Sequence, residues 1–377
     1  MRGLDPYDDS MLKAEGAGSG ITTPIGLPNF PAVYPPLALI GTAPVALLPY
    51  PVARATVLVL NVLALAGCWW LLARRFWWPT KDARSLALGM VILSLAGVHT
   101  CLKDGQLTPV VLLGILAALD PGAGRMRSSL GWIVALFKYS IPVPYMALSA
   151  RRQTWEHVVA LFFAGGLFLA GVAVVAAPLG IRALLHSYTA SVNALFTAAA
   201  WDDPSQIGGG TASMLWLEAL LYRVLAFAPA AVPALNAIAI AMMVFVVALL
   251  ILRCHDEGRL LLVIAAFVLL SSYHRVYDAV LLLPGIAWLI DRGARRLGLE
   301  TVFLAALFVP FLLPGPAALE STLSDALKSH WPVYALAIPH QTWCLVGIFV
   351  VASRGVVAEA LASHRRRAGV LNVHVVT

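Results

Sequence analysis

Apolar segments of membrane-spanning length recur along nearly the whole chain, and they limit the possible folds more than any other feature. A transmembrane helix needs about 20 mostly apolar residues. Hydrophobic residues make up 60% of the chain and charged residues 12%, whereas soluble domains have about 45–50% and about 25%. We predict an all-α polytopic integral membrane protein with about nine crossings plus re-entrant or hairpin segments. The apolar segments run at about 37–50, 53–73, 85–101, 107–119, 129–149, 155–177, 233–252, 259–273, 276–290, 301–315 and 332–353.

The basic residues lie in short loops between these segments, which is the distribution that the positive-inside rule describes. All the basic loops share one side if 129–149 is a hairpin that is broken at Lys138 and Pro142, because proline interrupts a helix. The sequence then predicts a multi-pass protein of the inner (plasma) membrane with a cytoplasmic C-terminus. The net charge of +7 is explained by these loops, and we expect no nucleic acid partner. The basic loop residues are Arg74, Arg75, Lys81, Arg84, Arg125, Arg127, Arg151, Arg152, Arg253, Arg259, Arg292, Arg295, Arg296 and Arg354.

The predicted organisation is one transmembrane domain over 1–377. Segment 1–36 is expected on the outer face, and 178–231 is expected to be an outer loop with interfacial helices. Residues 354–377 form a basic tail on the cytoplasmic side. Met1–Asn29 has no apolar region of the kind found in signal peptides, so either a short tail is translocated or an upstream helix is missing from this chain.

Carboxylates near the N-terminus are the first candidates for catalysis. Asp5, Asp8 and Asp9 precede the first apolar segment, where paired carboxylates can bind a cation or act as a general base toward a hydroxyl. The alternative is a solvated loop with turn residues. Tyr34 opens the first apolar run together with two prolines; it either lines a site or belongs to a proline-started helix.

Three further positions place polar groups among apolar residues. Lys103 and Gln106 flank Gly105, either in a simple tight turn or as ligands for a phosphate or a sugar hydroxyl. Lys138 lies inside an apolar run, and an ionisable group in hydrocarbon usually faces a cavity and has partners. We interpret Lys138 as an anion or phosphate ligand, and snorkelling of its side chain to the interface is the weaker interpretation.

A polar stretch at 273–278 separates two apolar segments. Arg275 is suited to neutralise a phosphate through two parallel hydrogen bonds. His274 is a candidate proton carrier, although a single histidine is more often structural, and Asp278 is expected to begin the next helix. We include all three in a substrate- and phosphate-binding set with Lys103, Gln106, Lys138 and Tyr34.

Familiar soluble-enzyme motifs are absent from the sequence. There is no Walker loop, GxGxxG, HExxH or GxSxG motif, so nucleotide-driven transport and soluble-type hydrolase chemistry lack support. The four cysteines are scattered without a CxxC pair, and we interpret them as small membrane hydrophobes. No cofactor is expected and no metal ligands are assigned.

The order of these motifs resembles glycosyltransferase family 87, whose members are membrane enzymes of the GT-C class. The resemblance spans nearly the whole chain, and its order and spacing are more specific than any single motif. Within that family, the sequence is similar in particular to the polyprenyl-phosphate-mannose-dependent alpha-mannosyltransferases of the cell envelope. It is carried by Gly3-Leu4-Asp5-Pro6-Tyr7-Asp8, Tyr34-Pro35-Pro36, Gly105-Gln106, the break from Lys138 to Pro142, and Ser272 to Pro284.

The resemblance implies a GT-C-like fold and an inverting transfer of a mannose-like sugar. The donor would be a polyprenyl-phosphate sugar in the bilayer, and the acceptor a hydroxyl of a glycan or glycolipid on the non-cytoplasmic face. Members typically begin with one more helix and an outer-loop aspartate, which this sequence lacks; Asp5, Asp8 or Asp9 would then substitute as the base. Tyr277-Asp278 stands where many members have two histidines.

Two other functions remain open from the sequence. A transporter or flippase of an anionic lipid-linked substrate would use the same intramembrane cations. A catalytically inactive family member is the third possibility, because the presumed base of the family has no counterpart in the printed sequence.

Overall fold

The computed structural model describes residues 36–151, 155–178, 180–194, 203–205, 213–313 and 315–354. Its regular structure is helical throughout these ranges, except for one isolated antiparallel bridge between Met214 and Arg275. The α-helices are α1 Pro36–Ala46, α2 Tyr50–Arg75, α3 Ala83–Ser94, α4 Ala96–Asp104, α5 Thr108–Ala118, α6 Arg125–Ala135, α7 Val143–Arg151, α8 Trp155–Ala176, α9 Ile181–Ala194, α10 Leu217–Val224, α11 Val232–Arg253, α12 Glu257–Ser271, α13 Leu283–Arg295, α14 Leu299–Phe308, α15 Pro316–Thr322, α16 Asp325–Ser329 and α17 340–354. Short 3₁₀ helices occupy Leu136–Lys138, Pro229–Ala231, Val276–Leu282 and Val309–Phe311, and a π-helical turn occupies Val333–Ala337.

Membrane-spanning candidates confirm the all-α membrane fold. Within the described ranges, α2 and the helix Pro229–Arg253 are long and apolar enough to cross a bilayer, and two bent helix pairs raise the number to four. One of these pairs corrects a predicted boundary: segment 85–101 is two helices, α3 and α4, bent by 56°. No glycine or proline stands at Leu95 itself, but Gly97 follows two residues later in the first turn of α4, a local signal that the prediction did not use.

The core is built around α12 and the segment that follows it. Every residue from Gly258 to Leu270 is buried, and the burial continues through Val276–Leu282 and most of α13. A helix that is apolar on all sides is expected in the centre of a bundle. These two elements therefore form the centre on which the other helices pack.

Close backbone approach joins α5 to α6. A Cβ atom placed on Gly114 would lie 2.6 Å from the Gly131 carbonyl oxygen, and one on Gly131 would lie 2.6 Å from the Gly114 carbonyl. Small residues at a helix crossing allow this approach in membrane proteins. The crossing fixes the position of α6, which leads directly to Lys138.

Ion pairs gather the basic loops on one side of the bundle, which we call the basic face: the loops and helix ends that carry Arg74, Arg75, Arg84, Arg127, Arg151, Arg259, Arg292 and Arg295. Arg75 pairs with Glu257 at 2.6 Å, and Arg127 pairs with Asp120 at 2.9 Å. Arg151, at the end of α7, donates to the Cys254 carbonyl at 2.5 Å. The start of α6 and the end of α7 thus lie on the same face, as the predicted hairpin requires.

A capping interaction on this face illustrates its electrostatics. Asp82 caps α3 and accepts hydrogen bonds from the side chain and the backbone N–H of Arg84. These bonds, with the charge of the guanidinium, lower the pKa of the Asp82 carboxyl to about 2. Asp82 is therefore ionised throughout the physiological range.

Candidate functional site

Lys138 lies in the predicted break between α6 and α7. Helix α6 ends at Ala135, the 3₁₀ turn Leu136–Lys138 follows, and α7 begins only at Val143. The Ile141 N–H donates to the Lys138 carbonyl at 3.0 Å, which tightens the turn. The side chain of Lys138 is 17% exposed, so the ammonium group sits within the protein rather than in solvent.

Asp278 is the partner of Lys138. The Lys138 Nζ atom is 2.6 Å from Asp278 Oδ1, and the Thr108 hydroxyl donates to the same oxygen at 2.5 Å. The second oxygen, Oδ2, lies 2.8 Å from His274 Nδ1. Three donors therefore converge on one carboxylate that is 1% exposed. A buried charge with this many partners is far less costly than an isolated one.

His274 extends the network to a serine. Its Nε2 atom is 3.1 Å from the Ser272 hydroxyl, and the imidazole is completely buried. An ionised carboxylate only accepts hydrogen bonds, so His274 Nδ1 carries a proton and donates a hydrogen bond to Asp278. In the neutral ring Nε2 is then the acceptor, and Ser272 donates to it. We call these five residues the Asp278 cluster: Thr108, Lys138, Ser272, His274 and Asp278.

Helix α4 holds the start of the 3₁₀ segment against this cluster. A Cβ atom on Gly97 would lie 2.6 Å from the Val276 carbonyl oxygen, so glycine permits the contact. The Cys101 thiol donates to the Tyr277 carbonyl at 3.1 Å. The Tyr277 ring in turn has the Lys138 ammonium 5.0 Å from its centroid, a cation–π distance. Asp278 is thus placed by packing on both sides.

Residues 213–216, which belong to the predicted outer loop, are attached to the same segment. Met214 and Arg275 form the isolated bridge, and the Leu215 N–H donates to the His274 carbonyl at 2.8 Å. The Arg275 side chain turns to Tyr273, with Nε 2.6 Å from the phenol oxygen. Tyr273 packs edge-on against Trp216, with ring centroids 6.4 Å apart. The stretch 273–275 is therefore clamped between the outer loop and the bundle.

The structure brings some predicted residues together and leaves others apart. Lys138, His274 and Asp278 form one network, whereas Arg275 contacts the outer loop. Lys103 is exposed at the end of α4 and Gln106 is partly buried after the left-handed Gly105, whose φ is 66°. Asp278 was expected to begin the next helix; the 3₁₀ segment begins two residues earlier, at Val276, and Asp278 lies in its first turn. Asp5, Asp8, Asp9 and Tyr34 lie outside the described residues.

Sequence reasoning missed two members of the cluster. Thr108 is the first residue of α5 and is fully buried, and Ser272 follows the last residue of α12. Serine and threonine at helix ends are common for capping reasons alone, so neither position carried a distinctive signal. Only the fold, which places residues 170 positions apart in contact, identifies them.

The chemistry available at the cluster is that of charge and proton handling. The ammonium and the carboxylate neutralise each other, and the imidazole and hydroxyl can exchange protons. Within the described ranges, no three His, Cys, Asp or Glu side chains form a group that could hold a metal ion. The cluster is therefore described through its own side chains.

A cavity beside the start of α2 adds an apolar surface. It encloses about 480 Å³ and is lined by Tyr50, Pro51, Arg54, Ala55, Leu58 and Leu102. Leu102 immediately precedes Lys103. The walls are mainly apolar with one guanidinium, so the cavity suits an amphiphile better than a polar solute.

Comparisons with known proteins gave one match. The model of the family described as Glycosyltransferase family 87 matches residues 32–272, which is more than half of the chain. The matched range includes Thr108, Lys138 and Ser272, and ends just before His274 and Asp278. No curated protein and no solved structure matches.

Proposed function

The chain belongs to glycosyltransferase family 87, and from this premise we propose that it transfers a mannose-like sugar from a polyprenyl-phosphate donor to a hydroxyl of a glycan or glycolipid. Its membership makes it a glycosyltransferase, and its apolar helices make it a membrane protein. The donor and the acceptor are the proposal. The observation that carries it is an ammonium group, that of Lys138, held inside a membrane bundle next to a proton-exchanging network.

The leaving group supplies the reason for cations at the site. When the sugar leaves a polyprenyl phosphate, negative charge develops on the phosphate oxygens, and fixed positive groups stabilise that charge. We assign Lys138, Lys103 and Arg275 to this role. Gln106, Tyr34 and His274 complete the proposed substrate-binding set. The Asp278 carboxylate would repel a phosphate and therefore does not bind it directly. Asp278 supports the substrate-binding set by holding Lys138 and His274 in place.

The acceptor hydroxyl must lose a proton as its oxygen attacks the anomeric carbon. Asp5, Asp8 and Asp9 are proposed as the carboxylates that take this proton. The isoprenoid chain of the donor would lie between helices, where apolar surface such as the cavity at α2 is available. No nucleotide takes part in this scheme.

Orientation follows from the basic face. We propose that it is cytoplasmic, in accordance with the positive-inside rule, so that the Asp278 cluster faces the opposite side of the inner membrane. The C-terminus would then be cytoplasmic. A reporter that fluoresces only in the cytoplasm, fused after Thr377, should be bright; a dark, fully expressed fusion would reverse the assignment.

The test is sugar transfer by the purified chain in detergent. We expect radiolabelled mannose to pass from polyprenyl-phosphate mannose to lipids or glycans extracted from the native membrane. Guanosine diphosphate mannose should not replace this donor. Transfer without a second compartment would count against a transporter or flippase, and turnover would exclude an inactive member. A well-folded chain that transfers nothing from this donor would contradict the proposal.

Lys138→Ala tests the phosphate role directly. We expect transfer to fall at least about hundredfold, because the loss of one such charge typically costs this much in catalysis. Asp278 retains Thr108 and His274 as donors, so the protein should still elute as a single species from a size-exclusion column. Lys81→Ala removes an exposed lysine of a basic loop and is the matched control. Full activity of Lys138→Ala would eliminate its assigned role.

A further inference from the structure

A line of hydrogen bonds runs from a partly exposed hydroxyl into the buried part of the cluster. Ser272 Oγ lies 3.1 Å from His274 Nε2, and His274 Nδ1 lies 2.8 Å from Asp278 Oδ2. Ser272 is partly exposed, His274 is 0% exposed and Asp278 is 1% exposed. Of these three residues, only Ser272 is open to a substrate.

The backbone fixes this line at both of its ends. Ser272 directly follows the last residue of α12, and its backbone is extended, with φ −144° and ψ 171°. The His274 carbonyl accepts from the Leu215 N–H at 2.8 Å, and the Asp278 N–H donates to the Arg275 carbonyl at 2.8 Å. The hydroxyl, the imidazole and the carboxylate are therefore held in order before any substrate arrives, which is the preorganisation that proton transfer requires.

The phosphate role does not account for this geometry. Both ring nitrogens of His274 are already engaged, one with Asp278 and the other with Ser272, so the ring cannot donate to a phosphate from its present position. An ordered hydroxyl, imidazole and carboxylate instead constitute an activated hydroxyl with its base and the group that orients the base.

We propose that Ser272, His274 and Asp278 form a proton relay that deprotonates the acceptor hydroxyl, with Ser272 in contact with the acceptor. This inference rests on the proposed function. Ser272 is then the catalytic residue, since it touches the reacting group. His274 stores the proton and Asp278 is a positioning residue that holds the imidazole.

The step balances as follows. The acceptor oxygen forms a bond to the anomeric carbon and gives its proton to Ser272 Oγ, while the Ser272 proton passes to His274 Nε2. The bond between the anomeric carbon and the phosphate oxygen breaks, and its electron pair leaves on the phosphate. His274 becomes an imidazolium paired with Asp278, and it returns its proton through Ser272 to water after the products depart.

Donor binding would strengthen the relay. The charged groups that face His274 are Asp278 and, beyond it, Lys138, whose ammonium is 2.6 Å from Asp278 Oδ1. A donor phosphate that attracts this ammonium leaves more of the carboxylate's negative charge for the imidazolium. The relay would then accept a proton most readily when the donor is already in place.

The relay competes with the N-terminal aspartates for the same proton. Asp5, Asp8 and Asp9 were proposed from the sequence, whereas the relay is derived from contacts among described residues. The decisive experiment therefore targets Ser272, which has no part in holding Lys138 and is dispensable for the charge balance of the cluster.

Ser272→Ala, Ser272→Thr and Ser271→Ala are compared in the full chain in detergent, with polyprenyl-phosphate mannose as donor and native membrane extract as acceptor. Ser271 is the adjacent serine, and its hydroxyl bonds only to the Val268 carbonyl of its own helix at 3.3 Å. We expect Ser272→Ala to lower kcat at least about tenfold with an unchanged donor KM, given that general-base catalysis contributes about 10²–10⁴-fold. Ser272→Thr should recover most of the rate, and Ser271→Ala should behave as the unaltered chain.

A solvent isotope effect adds a measurement that a purely structural role would not affect. The unaltered chain should turn over more slowly in D₂O, because protons move along the relay in the transfer step, and His274→Gln should reduce this isotope effect together with most of the rate. Ser272→Ala with the rate of Ser271→Ala overturns the relay, while transfer by the unaltered chain still upholds the proposed function. If the unaltered chain transfers nothing, the proposed function itself is wrong, whatever the variants do.

Discussion

Two buried aspartates lie thirteen positions apart on one continuous segment, Asp278 at its start and Asp291 near its end. Each accepts hydrogen bonds from three side chains. Asp278 binds Lys138, His274 and Thr108. Asp291 binds Trp78 at 3.0 Å, Arg84 at 3.3 Å and Arg295 at 2.8 Å. They are 1% and 6% exposed, so burial hardly distinguishes them.

Their partners distinguish them instead. Two of the side chains around Asp278, those of Thr108 and His274, are completely buried, and that of Lys138 is 17% exposed. A neutral imidazole can accept a proton and return it. Asp291 is surrounded by arginines that never lose their protons and are 29% and 69% exposed. When Asp291 is lost, those arginines can turn to water. We infer that Asp278 serves the chemistry of the proposed site, whereas Asp291 serves the assembly of the basic face.

The sharpest way to break this comparison is to remove each carboxylate. Asp278→Ala leaves Lys138 within the bundle without its carboxylate, and we expect a loss of about 3–5 kcal/mol in the free energy of unfolding. Transfer should fall at least about hundredfold, because the imidazole also loses its orienting group. Thermal unfolding in detergent and the mannose-transfer assay measure the two effects. A stable, active Asp278→Ala would show that the cluster is neither structural nor functional.

Asp291→Ala is the matched variant. We expect a smaller loss of about 1–2 kcal/mol, since Trp78 loses its acceptor but the arginines become solvated. The transfer rate per folded molecule should not change. Both variants are measured in the same detergent, because the comparison is between their effects. A transfer defect in Asp291→Ala as large as that in Asp278→Ala would erase the distinction.

Glu300→Gln sharpens the interpretation of the basic face. Glu300 bridges Arg259 and Arg292 at 2.9 Å each, with a side chain 31% exposed. Partly exposed ion pairs contribute at most about 1 kcal/mol, so we expect a shift in the unfolding midpoint near the limit of detection. Raising the salt concentration should reduce the difference from the unaltered chain further. A large drop in the unfolding midpoint would instead mean that the ion pairs of the basic face act as one cooperative network.

The sequence predicted the class of the protein and several of its irregularities. The apolar segments correspond to helices, the break at Lys138 is present, and Asp278 lies in the first turn of a helical segment. These features depend on local composition and on proline, which act through the nearest few residues. The bend at Leu95 was not predicted. Helix α4 packs against Val276–Leu282 through Gly97, and a contact with so distant a segment cannot be inferred from the local pattern.

The site was harder to predict than the fold. Lys138 was identified because a charge in an apolar run is conspicuous. The sequence predicted a phosphate as its partner and gave no sign of its pairing with Asp278. The pairing joins residues 140 positions apart, and no local pattern encodes such a distance. The acidic members of the basic face, such as Asp120 and Glu257, were passed over for a related reason: counting basic residues gives orientation but not which carboxylates hold the loops together.

The separation between Lys138 and Asp278 also matters while the protein is being made. Asp278 comes 140 positions after Lys138, so at about 5–20 residues per second the lysine joins the chain roughly 7–28 seconds before its counterion does. During that interval the Lys138 ammonium lacks the Asp278 carboxylate as a counterion, so burying it in the membrane is costly. We expect the α6–α7 hairpin to complete its insertion late, when the 3₁₀ segment arrives, so a nascent chain cut between 151 and 276 should still display Lys138 to a water-soluble amine reagent.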